Sequence, residues 1–156
     1  MLSVSFRFRP ATMNKPHGHA LRNGRISLPG HCYLVTIVTH NRHPWFLTYD
    51  HAATAARNLY HHTVLSSAET LSFVVMPDHI HWLLQLHTNL SEAVRKYKTR
   101  VSWEIGTSVW QRGFHDHALR QEEDLRRVAR YIVANPLRAG LAKNIGDYPY
   151  WNAIWL

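Results

Sequence analysis

Hydrophobic positions along the chain follow the two periods that separate strands from helices. Cys32 to Val38 (CYLVTIV) is a β-branched and aromatic run, which predicts a strand. Ala52, Ala55, Ala56 and Leu59 recur at helical spacing behind Asp50, which predicts a helix capped by Asp50 and reaching about Val64. Leu71 to Met76 reads as a second strand, Pro77-Asp78 as a turn, and His79 to Leu86 as the hairpin partner. Asn89 and Glu92 form a capping-box-like start, and Leu90, Val94, Tyr97 and Val101 line one face of the helix that follows. Val109 to Leu119 is expected to be extended, a candidate fourth strand. Leu125, Val128, Ala129, Ile132 and Val133 make an i, i+3, i+4, i+7, i+8 stripe on a last helix, which Asn135-Pro136 ends. The aromatic tail, with Tyr148, Tyr150, Trp151 and Trp155, is expected to pack back on the domain.

Helices interleaved with a hairpin predict an α+β fold of the split βαβ kind, ferredoxin-like or RRM-like. The expected sheet is mostly antiparallel, with four to five strands and helices on one face. The stretch 1–24 holds Pro10, Pro16, Gly18 and Gly24 with little periodicity and reads as a basic, flexible arm. Residues 25–156 read as one catalytic-size domain with a single core, which the 156-residue length and 46% hydrophobic content support. The single cysteine, Cys32, excludes an internal disulfide and a multi-cysteine zinc site, and fits a cytoplasmic location. No apolar run approaches the roughly 20 residues of a membrane span.

Charge changes the picture more than composition does. Lys plus Arg number 18 against 10 acids, a formal net charge of +8. No acid precedes Asp50, whereas Arg7, Arg9, Lys15, Arg22, Arg25 and Arg42 do. Such an excess points to a polyanionic partner, because cations gain affinity by releasing counterions condensed on phosphates. The bland alternative is a basic surface that only aids solubility.

Candidate chemistry lies in two places. His79-Ile80-His81 sits in a predicted strand, where alternation sends both imidazoles to one face and Ile80 to the other. Neutral imidazoles are common ligands of divalent metals. With 13 histidines, however, an H-x-H pair arises easily by chance, and His17/His19 and His115/His117 repeat the spacing. The latter pair flanks Asp116 and is a rival metal site. On the last helix, Tyr131, Asn135 and Asp124 share a narrow sector bordering the apolar stripe. A tyrosine phenol can attack a phosphodiester when a cation polarises the phosphate, and Asn135 offers an amide oxygen to that cation. The alternative is a border tyrosine that merely covers the core.

Three ordered blocks resemble those of the single-tyrosine HUH transposases. They are Phe73 to Trp82 (FVVMPDHIHW), Trp110 to Arg120 (WQRGFHDHALR) and Tyr131 to Leu141 (YIVANPLRAGL). Together they are similar to the subgroup called REP-associated tyrosine transposases, over roughly Gly24 to Tyr150. The resemblance implies Mg2+ or Mn2+ held by His79 and His81, with Asn135 in place of the third, helix-borne amide ligand. Related subgroups carry Gln there. It implies Tyr131 as the nucleophile of a 5′-phosphotyrosine intermediate, and single-stranded or hairpin DNA of repetitive extragenic palindromes as substrate. Arg25, Arg95, Lys96, Lys98, Arg100, Arg112 and Arg120 are then candidate DNA contacts, and Trp82 and Trp110 candidate stacking platforms. A monomer is expected, with a homodimer as the alternative. Two other readings stay open: a catalytically silent hairpin binder, and an RNA-binding module of the same fold.

Overall fold

The computed structural model describes residues 27–120 and 122–156, so the proposed arm over 1–24 lies outside it, as does Arg25. The first strand, β1 (Cys32–Val38), has the predicted bounds. Helix α1 (Tyr49–Asn58) follows, then the single turn α2 (His62–Leu65). The expected single helix to Val64 is thus broken in two. Thr48 is the N-cap residue of α1, and Asp50 sits inside its first turn. Strand β2 (Ala68–Met76) begins earlier than Leu71 and carries a register irregularity between Thr70 and Ser72. Its hairpin partner β3 (His79–Leu86) has the predicted bounds. Helix α3 (Leu90–Ile105) starts at Asn89, whose side chain accepts from the Glu92 N–H at 2.8 Å. It ends at Gly106, whose φ of +88° is the left-handed conformation that closes a helix without a Cβ clash.

Strand β4 is shorter than expected, His115–Leu119. Before it the chain makes an isolated bridge from Trp110 to Thr39, and Gly113 takes a φ of +79° that an extended strand does not allow. Helix α4 (Glu122–Val133) stops two residues before Asn135, and a separate turn α5 (Asn135–Arg138) begins there with Pro136 in its first turn. The tail adds β5 (Trp151–Ala153).

These strands form one antiparallel sheet in the order β4-β1-β3-β2-β5. The first four positions are those of the split βαβ arrangement, and β5 extends the sheet beyond β2. The expected helices on one face are corrected to helices on both. On one face Val35, Ile37, Phe73, Val75, Ile80, Trp82 and Leu84 pack against α1 and α3 through Ala52, Ala55, Leu90, Val94, Tyr97 and Val101. On the other, Val74, Met76 and Leu83 pack against Ala129, Ile132 and Val133 of α4. Burial on both faces explains why β2 is apolar almost continuously rather than alternating. Trp82 is wholly buried and donates from Nε1 to Thr70 Oγ1 at 3.0 Å, while Trp110 is 9% exposed in the same core. Both are therefore core residues, not platforms for bases. Among the described residues, no helix is long and apolar enough to cross a membrane.

Candidate active site

The register of β3 decides which face the histidines take. His79 is paired with Val38 and Met76, and His81 with Thr36 and Val74, so both imidazoles share the face covered by α4. Ile80, between them, is buried on the opposite face against α1 and α3. The two rings lie edge to face, with centroids 4.9 Å apart.

Each ring is held through Nδ1. Asp78 Oδ1 lies 2.7 Å from His79 Nδ1, and Thr36 Oγ1 lies 2.9 Å from His81 Nδ1. With Nδ1–H donating in both, each Nε2 presents a lone pair, the tautomer a metal ligand needs. Asp78 is itself fixed by Arg42 Nη1, 3.3 Å from Oδ2. Arg42 reaches it from a 3-10 turn in which Asn41 and Arg42 take φ of 53° and 51°, left-handed values that cost non-glycine residues free energy. The turn carrying Asp78 is pinned by main-chain bonds. Thr39 N and Thr39 Oγ1 both donate to Asp78 O at 2.9 Å, and Phe46 N donates to Pro77 O at 3.0 Å. Burial raises the Asp78 pKa, but the His79 hydrogen bond and charge, with those of Arg42, outweigh it and hold the carboxyl below its usual value. Burial, reinforced by the His79 and Arg138 charges, pulls the His81 imidazole down to about 3. It therefore stays neutral, the ligating form, across the physiological range.

Tyr131 stands on α4 beside the buried Ile132 and Val133, and is itself 38% exposed. Arg138 lies over its ring, with Cζ 3.9 Å from the centroid. The same guanidinium donates from Nη2 to the Tyr131 carbonyl oxygen at 2.5 Å and to Asn135 Oδ1 at 2.9 Å. Its charge is also felt at His81. Arg138 thus links the tyrosine and the asparagine, and α5, which carries it, packs on β2, the strand paired with the histidines. Among the described residues no group of three or more His, Cys, Asp or Glu could hold a metal ion. A cation at the two imidazoles would need an amide, backbone or solvent oxygen as its third donor, and the chemistry of Asn135 fits that role.

The other sequence-predicted residues sit elsewhere. His115 and His117 pair with Thr36 and Leu34, on the same sheet face as His79 and His81 but out on the edge strand β4. Helix α3 lies across the sheet from the histidines. There Lys96 bonds Ser66, Ser67 and Glu92, Lys98 bonds the carbonyl oxygens of Gln111 and Gly113, and Arg100 pairs with Glu104. Arg95 and Arg112 are exposed. Arg120 lines an open groove of about 540 Å³ with His31, Cys32, Gln85 and Trp155, at the end of the sheet away from His79. Thr36 and Arg138 are the residues that sequence reasoning did not single out. Thr36 faces His81 by register alone, and Arg138 lies inside the third block, one helical turn past Asn135.

The family model described as Transposase IS200 like matches residues 28–135. A REP-associated tyrosine transposase of Escherichia coli K12 is 31% identical over 86 residues, 53% of this chain and 52% of that one. A Haemophilus influenzae protein assigned to the same group is 29% identical over 140 residues, covering 78% of each chain. Among solved structures, a REP-associated tyrosine transposase bound to a REP hairpin superposes with a TM-score of 0.67 at 27% identity, over 81% of this chain and 79% of that one. The blocks, the sheet order and these matches agree: the chain belongs to the IS200-like transposase family.

Proposed function

We propose that this protein is a metal-dependent endonuclease and strand transferase that binds single-stranded hairpin DNA of the REP kind and cuts and rejoins it through Tyr131. The observation that carries this reading is the anchored histidine pair, with an exposed tyrosine on the helix that covers the same sheet face. The relative solved with a REP hairpin supports the choice of substrate.

In the reaction, Tyr131 Oη attacks a backbone phosphorus. The Oη–P bond forms and the P–O3′ bond breaks, leaving a 5′-phosphotyrosine and a free 3′-hydroxyl. The phenol proton passes to solvent, and the departing O3′ takes one up. The bond energy stays in the linkage, so a 3′-hydroxyl can reverse the step and rejoin the strands without an external energy source. Mg2+ or Mn2+, held by His79, His81 and the Asn135 amide, would supply Lewis-acid polarisation of the phosphate. Asp78 and Thr36 keep the imidazoles aimed and in the ligating tautomer. Arg112 and Arg120 are the exposed cations on and beside β4 that suit phosphate contacts. The engaged side chains of α3 have structural partners to give up first.

A labelled hairpin mixed with protein and Mn2+ is expected to give a covalent adduct on a denaturing gel, abolished by Tyr131→Phe. An adduct at full yield in that variant sinks the assignment. A second reading, hairpin binding without cleavage, draws on the Asn135 oxygen being bonded to Arg138. Metal-independent hairpin affinity with no adduct would favour it. An RNA-recognition surface is disfavoured, because both sheet faces are covered and Trp82 is buried.

A further inference from the structure

Arg138 is the cation that the reaction above leaves without a task. Its side chain is exposed, yet three of its contacts converge on the site: the Tyr131 ring, the Tyr131 carbonyl and Asn135 Oδ1. Both hydrogen bonds come from Nη2. Donors on Nε and Nη1 therefore stay available, in a planar group suited to two oxygens of one phosphate.

Asn135 Oδ1 is the only amide oxygen that the reading above offers to the metal, and here it accepts from a full positive charge. A divalent cation binding the same oxygen meets both a competing hydrogen bond and like-charge repulsion. We propose that Arg138 is a latch between the cation site and the nucleophile. It competes with the divalent cation for Asn135 Oδ1, and once displaced it binds the scissile phosphate beside the Tyr131 phenol. The inference rests on the reading of His79, His81 and Asn135 as the cation site. It couples the two halves of the site reciprocally: cation binding frees Nη2 from Asn135 for the DNA, and a phosphate that draws the guanidinium away favours the cation.

The latch makes two effects of one substitution opposite in sign. A residue that merely held Asn135 in place would, on removal, weaken both metal binding and cleavage. Removing a latch tightens the first and slows the second.

Mn2+ binding to the full chain without DNA, followed by the electron paramagnetic resonance of free Mn2+, tests this directly. Arg138→Ala is expected to bind Mn2+ about fivefold more tightly than wild type, the factor that one solvent-screened hydrogen bond contributes. In an Asn135→Ala background the same substitution should change Mn2+ affinity much less, because the contested oxygen is gone. At saturating Mn2+, Arg138→Ala should slow adduct formation by roughly 100-fold, as loss of one charge-stabilising donor does. Arg138→Lys keeps the charge without the planar fork and should fall between the two in both measurements, with circular dichroism confirming the fold. Weaker Mn2+ binding in Arg138→Ala, or an unchanged adduct rate, overturns the latch while leaving the cation site standing. Failure of wild type to bind Mn2+, or binding that survives His79→Ala with His81→Ala, overturns the site itself and the latch with it.

Discussion

Thr36 tests whether the histidines are ligands or only neighbours. Its hydroxyl lies 2.9 Å from His81 Nδ1, on the strand directly paired with His81. Thr36→Val keeps the β-branched shape and the strand preference, and removes only the hydroxyl. In the metal-free chain this loses one hydrogen bond at a largely buried ring, which costs about 1 kcal/mol of stability, up to roughly 3 if Nδ1–H is left unsatisfied. The larger consequence is for the tautomer. Without Thr36 the ring has no partner to hold its proton on Nδ1, so a share of molecules carries it on Nε2, where a cation would bind. Loss of such an orienting bond weakens metal affinity by about 10- to 100-fold, equivalent to about 1.4–2.7 kcal/mol. Mn2+ titration of wild type, Thr36→Val and Thr36→Ser, with urea denaturation of each, measures both effects. Thr36→Ser should return most of the affinity, because it restores the oxygen. Wild-type affinity in Thr36→Val, or a serine variant as weak as the valine one, would refute the reasoning.

Two further outcomes are expected. Trp82→Ala should destabilise the chain by about 3–5 kcal/mol in chemical denaturation, because it empties a wholly buried site and strips Thr70 Oγ1 of its donor. A cost below about 1 kcal/mol would show that Trp82 is not the core residue described. The metal-free chain should lose stability as pH falls below 6.5, the ordinary histidine value, because the unfolded His81 takes a proton there while the native ring stays neutral down to about 3. The slope from this group is about 1.4 kcal/mol per pH unit. It should be absent in His81→Gln when melting is followed from pH 7 to pH 5, and an identical slope in that variant would refute the assignment.

Much of the scaffold was legible because its local signals and tertiary roles agree. β1 is a β-branched run and β3 an apolar one behind a clear turn, and the Asn89 cap marks the start of α3 to the residue. Periodicity misled where one pattern served two purposes. The apolar residues of β1 and β3 pointing towards α4 were there to be read, since Leu34 and Leu83 alternate with Val35 and Trp82, yet they were not taken as a second covered face. The extended reading of Val109 to Leu119 counted residues that Gly113 turns away from the sheet. The histidine pair was correctly set on one face by alternation alone. What oriented it was not legible, because Thr36 and Arg42 reach the site through register and a left-handed turn, neither of which leaves a spacing in the sequence. The sequence ended the last helix at Asn135-Pro136; in the structure α4 closes at Val133, and Asn135 opens the short turn α5, where its side-chain oxygen meets Arg138, a partner that no spacing announced.

The hairpin between β2 and β3 separates two jobs that are usually fused. Its position is fixed by the main chain, since Thr39 N and Oγ1 both donate to the carbonyl oxygen of Asp78 and not to its carboxylate. The carboxylate takes no part in those main-chain bonds and joins His79 to Arg42 instead. Exchange of Asp78 for an apolar side chain would remove the partner of His79 Nδ1 while leaving the main-chain bonds of the turn in place. The partner that aims His79 can therefore be exchanged by single substitutions at this position, without the sheet having to be rebuilt around each new choice.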